Sequence, residues 1–253
     1  MTMIPELFAK ALHSSLPATR FGELLKDAAG ASFIKPRDLG ALCVEGISGM
    51  IDKVLQERLL APVEEERIVE IKQALGPAVT DMTALNEKLI KISVLRELKA
   101  GQIPDRVTVV GPLPNVLRKH ERVVWIFNQV VSYKRSAPEP AAGITFPATE
   151  QDLYCGLRQA GDDPMPTENL TKEAVGDLVV TSRNIYFVHD KGTQRIPMAK
   201  ITALQPYADA VQVTCEQSQD RSRAFKLKDA WMLANLIIGL MLLAQRKDHA
   251  EPA

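Results

Sequence analysis

The chain has 253 residues, of which 46% are hydrophobic and 25% are charged, as in ordinary folded proteins. Its 31 basic and 31 acidic side chains cancel. This balance argues against a nucleic-acid-binding protein, because such proteins take most of their affinity from a basic excess. The length suits two ordinary domains or one large one.

Cysteine usage predicts neither a disulfide framework nor a metal centre. Cys43, Cys155 and Cys215 are widely spaced, they form no Cys-x-x-Cys pair, and no histidine lies at ligand spacing. The sequence has no glycine-rich phosphate loop, so we expect no cofactor. The N-terminus lacks the basic region and long apolar core of a secretory signal, and we expect a cytoplasmic protein.

The first part of the chain, residues 1–104, is predicted to be a helical domain. Apolar residues recur at helical spacing in four runs: Phe21–Ala29, Leu39–Leu60, Pro62–Leu75 and Leu85–Leu98. The third run begins with acidic residues, which suit the first turn of a helix, and is followed by Gly76, a residue typical of helix ends.

Prolines and glycines between residues 101 and 116 predict a domain boundary, so the second domain spans 115–246. Alternating apolar residues predict antiparallel strands from about 117 to 228. Residues 136–149 hold three prolines and are predicted to form a loop. Ala230–Gln245 is an apolar helix of about 15 core residues, short of the ~20 that span a bilayer, and we expect it to pack on the strands.

A pattern of strand residues in the second domain resembles the pleckstrin-homology-like (PH-like) superfamily, within it the GRAM-type and bacterial PH-like domains. The pattern is Gly176-Asp177-Leu178-Val179-Val180-Thr181, then Ile185-Tyr186-Phe187, then Ile196-Pro197. Leu117–Trp125 is similar to the first strand of the bacterial group, although His120 replaces its usual glycine. The resemblance covers roughly residues 115–244. It implies an α+β fold, in which the helical domain precedes a PH-like antiparallel β-barrel closed by a C-terminal helix.

The segment Leu55–Gly76 also has a weak similarity to the helical pairs of the tellurite-resistance TerB-like group. We carry no metal-binding role over from it.

No arrangement of residues predicts catalysis. The cysteines and histidines form no recognisable nucleophile–base motif. Asp162 and Asp163 are adjacent carboxylates, but they lie in a loop rich in proline and glycine, where such residues usually solvate a turn. We therefore expect a protein that is not an enzyme, with no catalytic residue and no small-molecule substrate that the sequence identifies.

Four basic residues around the predicted hairpins are candidates for binding an anionic ligand: Arg183, Lys191, Arg195 and Lys200. PH domains that bind phosphoinositides use cations near the first hairpin loop. The corresponding residues here, 134–145, hold only Lys134 and Arg135, so that lipid motif is not matched. The alternative is that the four cations simply form a solvated face.

The final helix is apolar on both sides. Leu233, Leu236 and Leu240 form one stripe, and Trp231, Ile238 and Leu242 project from the opposite side. A helix that is apolar all round must be covered on both sides. We predict that Trp231, Ile238 and Leu242 form an interface. The alternatives are burial within the chain and membrane contact.

Taken with the resemblance, these patterns favour a non-enzymatic cytoplasmic binding or scaffold protein that acts through a PH-like domain and a helical domain. A protein partner or self-association is expected. The alternative is a peripheral membrane module that recognises anionic lipid head groups. No nucleic-acid partner is expected.

Overall fold

The computed structural model describes residues 16–55, 59–76, 83–107, 117–118, 120–135, 143–148, 163–216 and 222–250. The chain divides into two compact units, Met1–Ser93 and Val94–Ala253. The predicted linker, residues 101–116, is described only in part. The predicted domain bounds, 1–104 and 115–246, therefore stay a prediction.

The described part of the N-terminal half holds four helices, as the sequence predicts. They are α1 (Ala18–Ala31), α2 (Pro36–Leu55), α3 (Pro62–Leu75) and α4 (Thr83–Lys99). The start of α3 shows why its sequence is helical: Pro62 occupies the first turn, and Glu64 Oε2 accepts a 2.8 Å hydrogen bond from Ala61 N. Gly76 follows α3 with a φ of 59° and a ψ of −149°, a conformation that glycine adopts more readily than residues with a Cβ.

Aliphatic side chains form the core of the first unit. Ile47, Ile51, Ile68, Ile71 and Ile92 are fully buried. Helices α1 and α3 pack closely at Gly22, where an added Cβ would lie 3.3 Å from the Ala74 carbonyl oxygen. Burying each large aliphatic side chain contributes about 1.5–3 kcal/mol, so this packing stabilises helices of modest length.

The second unit is built on one antiparallel sheet, which has eight strands in the described residues. They are β1 (Val123–Arg135), β2 (Ile144–Thr145), β3 (Leu170–Thr181), β4 (Asn184–His189), β5 (Gly192–Pro197), β6 (Ile201–Pro206), β7 (Ala210–Cys215) and β8 (Ser222–Lys226). The strand order is β2-β6-β7-β8-β1-β3-β4-β5, and each neighbouring pair is antiparallel. This order confirms the predicted antiparallel strands and the α+β fold class.

Strand β1 joins the two parts of the sheet, because it pairs with both β3 and β8. Its register against β3 shifts between Phe127 and Val130. Gln129 has a φ of 57° at this bulge, and its amide donates to Asp177 Oδ1 at 3.3 Å. The bulge bends a strand that is 13 residues long.

Two details of the strands differ from the sequence prediction. The predicted loop 136–149 contains strand β2, whose Ile144 and Thr145 pair with Leu204 and Ala203. The apolar run from Ile196 to Ile201 is interrupted by a 3₁₀ turn, Met198–Lys200, between β5 and β6. A two-residue strand has too little sequence for alternation to reveal it.

A C-terminal helix, α5 (Ala230–Ala250), packs against β6, β7 and the Met198–Lys200 turn. Leu233, Leu236 and Leu240 are buried, as predicted for the stripe that faces the strands. Asn235, the polar residue inside this apolar run, donates from Nδ2 to the Trp231 carbonyl at 2.8 Å. No helix in the described residues has the length and apolar character needed to span a membrane.

Candidate functional site

Two consecutive hairpins, β3–β4 and β4–β5, carry three of the four predicted anion-binding residues. Arg183 lies in the turn between β3 and β4, Lys191 in the turn between β4 and β5, and Arg195 within β5 opposite Tyr186. Lys200 lies in the 3₁₀ turn that follows β5. All four residues are exposed.

The four cations follow the hairpin and do not form one cluster. Arg183 and Lys191 lie at opposite ends of β4, roughly 20 Å apart at about 3.3 Å per strand residue. Arg195 lies between them, on the outer strand. Arg183, Arg195 and Lys191 therefore follow the last two strands of the sheet in a row, whereas Lys200 lies beside the end of β7, where its carbonyl accepts a 2.8 Å hydrogen bond from Glu216 N.

None of these four cations forms an ion pair with a carboxylate among the described residues. Lys226 on β8 contrasts with them, because its Nζ lies 2.7 Å from Asp209 Oδ2. Arg223 on the same strand lies 3.5 Å from Glu173 Oε2. Within the described chain, the cations of β8 form ion pairs, whereas Lys191 and Arg195 form none, although Asp190 precedes Lys191 and Tyr186, opposite Arg195, donates to Glu121.

Glu121, a residue that the sequence prediction missed, fixes the turn that holds Arg183. Its Oε1 accepts a 2.7 Å hydrogen bond from Thr181 Oγ1 and a second bond from Asn184 Nδ2. Its Oε2 accepts bonds from Tyr186 OH at 2.7 Å and from Arg118 N at 2.8 Å. Glu121 is a single polar residue without periodicity or motif, so only its three-dimensional neighbours reveal its role.

The ionisation of this network follows from its hydrogen bonds. Burial alone would raise the pKa of Glu121, but the bonds from Asn184, Arg118, Thr181 and Tyr186 together lower it. Burial, followed by the bond to Glu121, raises the pKa of Tyr186 to about 12. Glu121 is thus an anion with four donors around it, and this arrangement suits a structural carboxylate.

Thr181 connects the network to the backbone of the turn. Its Oγ1 accepts bonds from the amides of Asn184 at 2.9 Å and Arg183 at 3.3 Å. The Arg183 carbonyl accepts from Met198 N at 3.0 Å. The turn is therefore held from both sides while the Arg183 side chain stays exposed.

Strand β5 is the last strand of the sheet order in the described residues. The two-residue turn Asp190-Lys191 makes His189 and Gly192 the first hydrogen-bonded pair, and the bonding alternates from there. Continuing this alternation past the end of β5 makes Arg183 and Met198 a hydrogen-bonded pair, and Met198 N does donate to Arg183 O. It follows that the backbone groups of Thr193 and Arg195 point away from β4. Pro197 also points outward but has no N–H group.

The predicted interface residues on α5 are largely covered. Ile238 is fully buried, Leu242 is 9% exposed, and Trp231 is half-buried. Burial within the chain, the alternative that the sequence left open, accounts for Ile238 and Leu242. Their part in an interface with a partner stays a prediction.

Within the ranges that the structure describes, no group of three or more His, Cys, Asp or Glu residues is arranged to hold a metal ion. Burial raises the pKa of the Cys43 thiol to about 11. Burial also raises the pKa of Cys215, although Arg223 and Lys200 lower it in part. A raised pKa keeps these thiols protonated at neutral pH, which is unsuited to nucleophilic chemistry.

No protein-family model and no curated protein matches this sequence. Among solved structures, the chain is similar to the Vps36 N-terminal PH domain, with 10% sequence identity and a TM-score of 0.33. The match covers 52% of this chain and 86% of that one. A likeness at this level carries no argument about function. The second unit resembles a PH domain in that an antiparallel sheet is followed by a C-terminal helix.

Proposed function

We propose that this protein is a non-enzymatic binding module of the cytoplasm, whose sheet contacts a protein partner while its helical half serves as a scaffold. The observation that carries the proposal is the row of exposed cations along the outer hairpin. None of these cations forms an ion pair with a carboxylate among the described residues, whereas Arg223 and Lys226 of β8 do. Exposed charge of one sign on a protein surface attracts and orients a partner of the opposite sign.

The balance of charge over the whole chain supports a local contact surface. The formal net charge is zero, so the basic hairpin is a feature of one surface and not of the composition. Electrostatic attraction between exposed groups falls off over about 10 Å at 0.1 M salt. A partner would therefore be attracted to the hairpin itself.

Reversal of the charges tests this proposal in the cells that make the protein. Proximity labelling compares a four-residue variant with a control variant. The four-residue variant is Arg183→Glu/Lys191→Glu/Arg195→Glu/Lys200→Glu, and the control is Lys172→Glu/Lys228→Glu. The control changes exposed lysines away from the β4–β5 hairpin. We expect the four-residue variant to lose at least one protein that wild type and control both label. An unchanged set of labelled proteins would refute the proposal.

An anionic membrane surface is the second candidate, because the same exposed cations would also attract acidic lipids at about 1 kcal/mol per basic residue near the surface. Sedimentation with vesicles that contain phosphatidylserine, an anionic lipid of the cytoplasmic leaflet, tests it. A membrane module binds these vesicles at low salt and releases them at high salt. Absence of binding at low salt removes this candidate.

A further inference from the structure

We propose that the outer edge of β5 binds an extended acidic segment of a partner protein, which adds to the sheet as an antiparallel or parallel strand. This inference deepens the proposed function and rests on it. The surface, here called the β5 edge, consists of Lys191, Gly192, Thr193 and Arg195 with the neighbouring Arg183.

The backbone of the β5 edge has hydrogen-bonding groups that no described strand uses. Strand β5 pairs with β4 on one side, and among the described strands nothing pairs with its other side. Thr193 and Arg195 each direct an N–H and a C=O outward, and both residues are exposed. An extended peptide satisfies such groups with regular main-chain hydrogen bonds, the mode by which exposed sheet edges recruit strands.

The opposite edge of the sheet is already covered, which distinguishes the two ends. Strand β2 pairs with β6 there through Ile144 and Thr145, and Phe146 N donates to Thr202 O at 2.9 Å. Gly143 allows this close approach, since an added Cβ would collide with the Leu204 carbonyl oxygen. The chain thus protects the β6 edge with its own segment, and in the described residues it leaves the β5 edge open.

Charge decides which strand the β5 edge accepts. Lys191, Arg195 and Arg183 follow the edge over roughly 20 Å, about the length of six extended residues. A row of this length fits acidic side chains repeated along a strand better than it fits one compact head group. Asp190 is the one exposed carboxylate in the β4–β5 turn, and it lies 3.4 Å from His189 Nδ1.

The same charges argue against a second copy of this chain as the occupant. Antiparallel pairing of two β5 edges would place Arg195 of one copy close to Arg195 or Lys191 of the other. Like charges facing each other across strands destabilise the pairing. Basic side chains and Pro197 therefore oppose self-association at this edge and leave an acidic strand as the favoured partner.

The experiment uses the full-length protein and a fluorescein-labelled ten-residue peptide that alternates glutamate with valine. Fluorescence anisotropy measures binding at low and high salt. We expect saturable binding that weakens as salt rises. Thr193→Pro removes one outward N–H without removing a bond to β4, and should weaken binding about tenfold. Thr193→Val keeps that N–H and should bind like wild type.

Two further variants separate charge from backbone. Arg195→Glu should weaken binding about tenfold, and Lys228→Glu, an exposed lysine away from the β5 edge, should not. Circular dichroism checks that each variant is folded. Amide hydrogen exchange on the wild-type protein gives a result that needs no variant: added peptide should slow exchange at Thr193 and Arg195 and leave exposed amides elsewhere unchanged.

These experiments distinguish failure of the β5 edge inference from failure of the proposed function. If Thr193→Pro binds the peptide as tightly as wild type, or if the amides of Thr193 and Arg195 are not protected, strand addition is refuted. If the peptide fails to bind while the four-charge variant still loses a labelled protein in cells, the binding module stands and the β5 edge inference fails. Binding to phosphatidylserine vesicles alone, unaffected by Thr193→Pro, would also overturn the inference in favour of a membrane.

Discussion

At the scale of single residues, Glu121 shows how a carboxylate can organise a surface without contacting a ligand. It accepts hydrogen bonds from Thr181, Asn184, Tyr186 and the Arg118 amide, and these bonds fix the turn before β4. The Arg183 backbone in turn bonds to Thr181 and to Met198. One acidic side chain therefore determines where a cation on the surface lies.

Glu121→Gln tests this role through stability. The amide nitrogen of glutamine would face donors that now bond to a carboxylate oxygen, so at neutral pH the free energy of unfolding should fall by about 1–3 kcal/mol. Because hydrogen bonds lower the pKa of Glu121 in the folded protein, its contribution is full above the ordinary value of 4.5 and is lost as pH falls through the lowered pKa. The difference in free energy of unfolding between wild type and Glu121→Gln should therefore become smaller in acid.

Urea unfolding at neutral pH and at a pH below that lowered value measures both effects. Glu168→Gln, an exposed acidic residue, is the control and should change stability by less than about 0.5 kcal/mol. If the difference in free energy of unfolding between wild type and Glu121→Gln stays constant with pH, the carboxylate charge of Glu121 is not what holds the turn.

At the scale of elements, α5 illustrates that an apolar stripe identifies a helix but does not show which residues pack against it. Every residue from Met232 to Leu243 is buried, although the sequence alone allowed a partner, a membrane or the chain itself to cover one side. Helical periodicity records only which side chains avoid water. It contains no information on which part of a protein fills the space beside them.

Burial of Ile238 within the chain gives a prediction about α5. Ile238→Asp would place a charge in a site with no solvent access, and we expect it to unfold the protein or to cost more than about 4 kcal/mol of stability. Ala244→Asp introduces the same charge at an exposed position of the same helix and should be tolerated within about 0.5 kcal/mol. Thermal denaturation measures the two variants. A stable, monomeric Ile238→Asp protein would contradict the observed burial.

At the scale of the whole molecule, the sequence predicted the longer helices and strands but not the contacts between them. Leucine and isoleucine spacing predicted the four N-terminal helices, and alternating apolar residues predicted antiparallel strands from about 117 to 228, because each signal lies within one element. Strand β2 and Glu121 were missed, since both depend on partners far along the chain. The exposed cations were identified by sequence, but their arrangement in a row follows from the hairpin register.

The position of β1 between β3 and β8 has a consequence for how the protein folds. Strands β3, β4 and β5 are successive hairpins whose contacts are local, whereas Ser132 pairs with Phe225 across more than 90 residues of chain. Closing so long a loop costs more conformational entropy than forming a hairpin, so local hairpins form faster. We expect pulse-labelling hydrogen exchange to show amides of β4 protected before those amides of β8 that bond to β1, because β8 also forms a local hairpin with β7. The β5 edge would then exist before β1 joins the two parts of the sheet, and the cations along it would oppose pairing with other chains during folding.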